Sequence, residues 1–245
     1  MSQKYIGGFI TKSPTAPSGP YETSVAKGIW TLDQAMQFKK QGIWPTAGNV
    51  APPTVIGQAF GGGFYAGQIG VSGVATHYLV VGPVASAQTT GVQWKTANTT
   101  TAGTTSDIDG PTNSSNMNNA SHPAGQFCEG LSIGGFSDWY MPAKNELEVC
   151  YYNLKPTTTV NNTSSGINAN AVPARASNYT SGDPAQTTAT DFKSTGAEDF
   201  APNGYWSSTE FSSTDGTGNY FDVGFQFNGA KTNTYRVRAI RRVAV

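Results

Sequence analysis

Residues able to do covalent chemistry are few in this chain. Two histidines, His77 and His122, and two cysteines, Cys128 and Cys150, are all that 245 residues contain. A nucleophilic triad or a zinc centre needs an imidazole beside a nucleophile or among further ligands. Neither histidine has a spacing such as HExxH, so both are read as structural. Gly61-Gly62-Gly63 has no following Lys-Ser/Thr and no strand-to-helix context, so it reads as a tight turn and not as a phosphate loop. Asp107-Ile108-Asp109-Gly110 begins like a calcium loop but lacks its closing Glu, so no metal is expected. The carboxylate pairs Glu146/Glu148 and Glu198/Asp199 are read as solvated charge. Glu146 and Glu148 stand two apart on a helix and face different directions, whereas glycosidases oppose two carboxylates across a cleft. Cys128 and Cys150 read as reduced core thiols, although adjacent helices would allow them to pair. These readings make the protein a non-enzyme without cofactors.

The composition agrees with a frame for surface contact. Fifteen Lys and Arg balance fifteen Asp and Glu, and charged residues make up 12% against an ordinary share of roughly 25%. Zero net charge argues against nonspecific binding to nucleic acid. The 29 Gly, 14 Pro and long Thr/Ser/Asn runs predict many loops, while 5 Trp, 11 Tyr and 12 Phe exceed what a disordered polar chain carries. The opening MSQKYIGGFITK has no signal-peptide core, and the apolar stretch 69–87 is interrupted by His77, Pro83 and glycines, so neither export nor membrane insertion is expected. The sequons at Asn98 and Asn178 are read as chance in so Asn/Thr-rich a chain.

Residues 1–56 read as an arm. Residues 4–11 are β-like, three prolines within 13–20 impose extended or turned backbone, and TLDQAMQFKKQG predicts a helix. There Thr31 and Gln34 form a capping box, Lys39 and Lys40 suit the last turn, and Gly42 is the stop. Its stripe of Leu32, Ala35 and Met36, flanked by Trp30 and Trp44, is too small to stand alone, so the arm must pack on something. Residues 45–53 read as a linker.

Beyond it, strands are predicted at 61–71, 76–84 and 92–96, then a polar loop over 97–120 and a helix at 124–132. A stronger helix follows Pro142, with Leu147, Cys150, Tyr151 and Leu154 on one face and Pro156 as terminator. A second polar excursion covers 157–202. Alternation of Phe221, Val223, Phe225 and Phe227 with Asp222, Gly224 and Gln226 predicts a strand, Asn228-Gly229 a hairpin turn, and Tyr235 to Ile240 the return strand.

Several of these segments resemble one family. GLSIGGFSDWYMPAKNELEVCYYNL (130–154), GYWSSTEF (204–211) and YRVRAIRRV (235–243) match in order the motifs of the DUF1566 family, also called the Lcl C-terminal domain. Asp138-Trp139, Pro142, Glu146-Leu147, Tyr205 to Ser208 and Val237-Arg238 carry the likeness. It implies an α+β, C-type-lectin-like domain over 57–245 with long polar loops and few short helices, Trp139 in the core, and Asp138 fixing its turn by accepting backbone hydrogens. A cysteine that the family often places in the last strand is here Ala239, so Cys128 lacks that partner. The Glu-Pro-Asn and Trp-Asn-Asp tripeptides of calcium-dependent sugar sites do not occur. Arg236, Arg238, Arg241 and Arg242 read as salt-bridge partners within the domain rather than as a site for acidic glycan. Ligand contact is instead expected at Ser208, Glu210, Tyr220, Asp222, Gln226, Asn228 and Lys231, because proteins resembling this fold present variable side chains there. Rings stack on sugar faces, and amides exchange hydrogen bonds with hydroxyls.

The arm segments GGFITKSPTAPS, GIWTLDQA and GIWP are similar to the amino-terminal segments of structural proteins of marine tailed phages. The two resemblances together imply a virion protein of tail- or capsid-fiber type, assembled in a host cytoplasm. Residues 1–50 would contact other virion proteins, the chain would self-associate as a homotrimer, and the head would touch host-surface glycan. The rival expectations are a purely architectural capsid decoration or fiber base, a bacterial adhesin, and a polysaccharide depolymerase.

Overall fold

The computed structural model describes residues 31–40 and 52–245, and the chain divides into two units, Met1–Pro52 and Pro53–Val245. In the first unit, helix α1 covers Leu32–Lys40. Its start is the predicted capping box: the Gln34 amide nitrogen donates to Thr31 Oγ1 at 3.2 Å, and the Gln34 side chain accepts from the Thr31 amide at 2.9 Å. The strand at 4–11, the proline segment, Trp30, Trp44, the Gly42 stop and all but the end of the linker fall outside the described residues.

The second unit is a mixed α+β structure built on two sheets. In the first, β1 (Ala59–Phe60), β2 (Gly63–Val71), β3 (Val74–Val81) and β9 (Ile240–Ala244) pair antiparallel in that order. Val80 lies opposite Arg241 in this sheet, so the far end of the chain closes onto its early hairpin. Between β3 and β9 come α2 (Val84–Ala87), β4 (Gln88–Gln93), α3 (Gly110–Asn116), α4 (Pro123–Glu129) and α5 (Lys144–Leu154). Strands β5 (Gly204–Glu210), β6 (Asp215–Tyr220), β7 (Gln226–Ala230) and β8 (Thr234–Arg238) follow. The second sheet runs β4-β8-β5-β6-β7, with β5 and β8 parallel and the other neighbours antiparallel.

Helix α5 sits where its apolar periodicity requires. Leu147, Cys150, Tyr151 and Leu154 are all buried, packed with Ile69, Leu79, Phe192, Phe200, Tyr205 and Phe221. Gly67 of β2 adopts φ +126°, and the Val149 and Asn153 side chains fill the space a Cβ would need, so helix and strand approach closely because this residue has no side chain. A second core gathers Trp94, Met117, Cys128, Trp139, Met141, Trp206 and Val237. Both cysteines are free and buried, and burial raises both thiol pKa values. The excursion at 157–202 is largely irregular, with one 3-10 turn at Thr190–Phe192 and isolated bridges joining Asn168 to Arg175 and Ala171 to Ile69 of β2. Among the described residues no helix is long and apolar enough to cross a membrane.

Several expectations need correction. The polar stretch 97–120 contains helix α3, started by Asp109, which accepts from the Thr112 amide at 3.2 Å. The Phe-rich alternation at 221–227 is not one strand: 221–225 form the turn joining β6 to β7, and only Gln226 and Phe227 belong to β7. Gly224 has φ +73°, and the Tyr220 amide donates to the Phe225 carbonyl at 3.0 Å. Asn228 and Gly229 accordingly lie inside β7, opposite Thr217 and Gly216. Glu146 and Glu148 are wholly buried rather than solvated. Glu146 accepts from Tyr140 Oη (2.5 Å), the Ala143 amide (2.8 Å) and Arg242 Nε (2.6 Å). Glu148 accepts from Tyr179 Oη and Asn168 Nδ2, each at 2.5 Å, and pairs with Arg175. Burial raises both carboxyl pKa values, and the facing arginines oppose that rise.

Three of the four C-terminal arginines act as the sequence reading expects, in ion pairs within the domain, whereas Arg236 makes none among the described residues. Arg238 holds Glu198 at 2.8 Å, Arg241 holds Asp138 at 2.8 Å, and Arg242 holds Glu146. Glu198 therefore is not free surface charge. It also accepts from the Val84 amide at 2.8 Å. Asp138 fixes its turn through the Arg241 guanidinium and not through backbone donors, while Trp139 is buried as expected.

Candidate functional site

A cavity of about 410 Å³ opens over one face of the second sheet, within the range of roughly 300–1,000 Å³ usual for small-ligand pockets. Strand alternation supplies its floor, since residues directly opposite each other share a face. Thr217 faces Asn228, and Asn219 faces Gln226, across β6 and β7. The walls come from three separate loops: Thr105 and Asp107 before α3, Ser164 and Ser165 in the long excursion, and Phe211 after β5, with Lys144 at the start of α5.

Hydrogen bonds fix each wall. Thr209 Oγ1 accepts from the Lys144 amide (3.0 Å) and donates to the Ser106 carbonyl (2.9 Å), joining α5, β5 and the 105–107 loop. Ser165 Oγ accepts from the Gln226 amide at 3.0 Å, and Asn162 donates to the Val223 carbonyl at 2.7 Å, which docks the excursion on the β6–β7 hairpin. The segment after Phe211 is closed by Ser212 and Thr214 hydroxyls on Asp215, at 2.9 and 2.6 Å. These bonds lower the Asp215 carboxyl pKa. The walls are thus built before any ligand arrives.

The charges around this cavity are matched. Asp107 pairs with Lys144 at 3.5 Å, and Glu210 with the fully buried Lys231 at 2.7 Å. Glu210 also accepts from the Thr101 amide (3.0 Å) and Thr104 Oγ1 (3.0 Å), so it anchors the 99–104 loop. Polar hydrogen-bonding capacity is left over all the same. Gln226 Nε2 and both side-chain polar atoms of Asn219 are buried without a partner, a condition that costs about 1–3 kcal/mol per group unless water or ligand supplies the bond.

Three of the seven expected contact residues, Glu210, Gln226 and Asn228, line the cavity. The other four do not. Ser208 is buried within β5 and its amide donates to the Pro142 carbonyl at 2.7 Å. Lys231 is interior, because its ammonium neutralises Glu210 and donates to the Thr99 and Ser213 carbonyls. Tyr220 packs on Phe227 and Tyr235 at ring-centre distances of 4.8 and 6.1 Å, on the sheet's other face. Asp222 sits in the β6–β7 turn, where its carboxylate accepts from the Val223 amide. Asp107, Lys144, Ser164, Ser165 and Phe211 lie far apart in sequence and escaped notice as a set. The one local hint is that Ser164-Ser165 interrupts an otherwise Asn/Thr-rich excursion.

His77 and His122 stand apart from this site. His122 Nδ1 meets Asn119 Oδ1 and Nε2 meets Thr101 Oγ1, both at 2.8 Å. Asn119 Oδ1 also accepts from Ser121, so the network assigns Nδ1 as donor and Nε2 as acceptor. Burial, together with the Lys95 and Lys231 charges, lowers its pKa to about 4. No three His, Cys, Asp or Glu side chains among the described residues gather as metal ligands.

No curated protein matches the chain. A family model, the Lcl C-terminal domain, matches residues 84–241, a span from α2 to the first residues of β9 that takes in the whole cavity wall, and the chain belongs to that family.

Proposed function

We propose that this protein is a non-enzymatic structural protein of a tailed bacteriophage, whose C-type-lectin-like head binds host-surface glycan in the cavity over β6 and β7. The carrying observation is a preformed pocket lined by hydroxyl, amide and aromatic groups, beside which the Gln226 and Asn219 side chains are buried with unused hydrogen-bonding atoms. Polyhydroxylated ligands offer paired donors and acceptors to such groups. The lectin-like reading draws support from the last strand closing on the early hairpin and from the long loop excursion inserted between α5 and β5. The phage reading draws on the arm segments 7–18 and 28–35, through which the chain would contact other virion proteins and trimerise. Many copies on one particle turn weak single-site contacts into useful avidity.

The test is a glycan array probed with the full chain displayed multivalently, alongside electron microscopy of particles labelled with an antibody against it. Saccharide binding that is lost in Ser165→Trp, with labelled particles, supports the proposal. Labelled particles without saccharide binding would identify an architectural protein instead, and release of reducing sugar from a bound glycan would overturn the non-enzymatic reading.

A further inference from the structure

The cavity carries a specificity. Its charged lining groups are each matched inside the domain: Asp107 lies against Lys144, and Glu210 against Lys231 beneath it. An anionic ligand entering here would leave its water shell and meet two carboxylates whose cations are already engaged, and nothing among the lining residues would offset its desolvation. At the same place Phe211 is 62% exposed, although its amide is held to the Asp215 carbonyl at 3.0 Å. A phenyl ring held out in water by a fixed backbone buries little on folding, and it gains that area only when a ligand covers it.

Resting on the reading of this cavity as a glycan site, we propose that it selects uncharged sugars, with the apolar face of a pyranose stacked on Phe211 and its hydroxyls bonded by Gln226, Asn228 and Ser164. Lys144 and Asp107 then work as a gate of charge: their pairing keeps the mouth neutral and denies acidic glycans a free cation. The pair is half exposed, with side-chain exposures of 35% and 48%, so it can be broken without disturbing the core.

The experiment measures binding of the full chain to two panels of immobilised saccharides, neutral hexosides and N-acetylhexosaminides against uronic acid and sialic acid glycosides, at low and high salt. The expected result is binding within the neutral panel only, insensitive to salt. Phe211→Ala should lose roughly tenfold in affinity with an unchanged unfolding midpoint. Asp107→Asn, which frees Lys144, should gain salt-sensitive binding to the acidic panel. Wild-type preference for acidic glycans, abolished in Phe211→Ala, would overturn the charge selection while leaving the glycan site intact. Neutral binding that Phe211→Ala leaves unchanged would overturn the stacking. Binding to neither panel would overturn both this inference and the glycan reading beneath it.

Discussion

Replacing Lys231 by Met tests how the site loops are held. The Lys231 ammonium is fully buried and donates to Glu210 Oε1 (2.7 Å), the Thr99 carbonyl (2.9 Å) and the Ser213 carbonyl (3.0 Å). Methionine matches the stem but leaves the Glu210 carboxylate in the interior with only the Thr101 amide and the Thr104 hydroxyl. Removing one partner of a buried ion pair costs about 3–5 kcal/mol, a large share of the roughly 5–15 kcal/mol by which domains are stable. Glu210→Gln with Lys231→Met removes both charges, and the remaining loss is that of the Ser213 carbonyl left without its donor, about 1–3 kcal/mol, since the Thr99 carbonyl still accepts from Lys95 Nζ at 3.1 Å. The double variant should therefore be more stable than Lys231→Met alone. Urea unfolding of the wild type, both single variants and the double variant at pH 7 closes the cycle, with an expected coupling of about 2 kcal/mol or more. A cost for Lys231→Met below about 1 kcal/mol, or additivity within about 0.5 kcal/mol, would refute the claim that this pair anchors the 99–104 loop.

Three further outcomes are expected. The His122 pKa falls from its ordinary 6.5 to about 4 in the folded protein, so between those values the unfolded chain takes up a proton that the native one refuses. Stability should decline as pH drops through that window, by at most about 3 kcal/mol and nearer 2 once solvent near the ring is allowed for, and His122→Gln should flatten the urea midpoint against pH. The thiols of Cys128 and Cys150 should be inert to an aromatic disulfide reagent in the native state and react in urea, because burial pushes both pKa values up. Gly224→Ala should cost at least about 2 kcal/mol in urea unfolding, since φ is +73° and a Cβ there would run into the Tyr151 ring.

Local signals in the sequence translated well into local structure. The Thr31–Gln34 capping box and the Leu147/Cys150/Tyr151/Leu154 stripe needed nothing beyond their own helices, and both formed as spaced. The Phe221–Phe227 run failed for an instructive reason. Alternating aromatics mark a half-buried strand, yet two strands meeting at a turn place their aromatics with the same period, and Gly224 was the residue that told them apart. Glu146 and Glu148 were misread because their partners are remote in sequence: Arg242 lies 96 positions from the first and Arg175 lies 27 from the second. A charged helix face looks wet until the arginines that cover it are known. The same distance hid Asp107, Lys144, Ser164 and Phe211 as one cavity wall, whereas Gln226 and Asn228 were legible because one β-strand presents them together.

The closure of β9 on β3 has a consequence for how the protein is made. Arg238, Arg241 and Arg242 reach from the end of the domain to Glu198, Asp138 and Glu146, so they tie down the long excursion, the turn before Trp139 and the start of α5. A nascent chain that has not yet emerged as far as residue 244 therefore carries two largely buried carboxylates, Glu146 and Glu198, and the exposed Asp138 without their cations, and a first sheet without its outer strand. Folding of this unit must wait on translation of that last segment, and a product truncated before it should be cleared by proteases rather than accumulate as a partly working head.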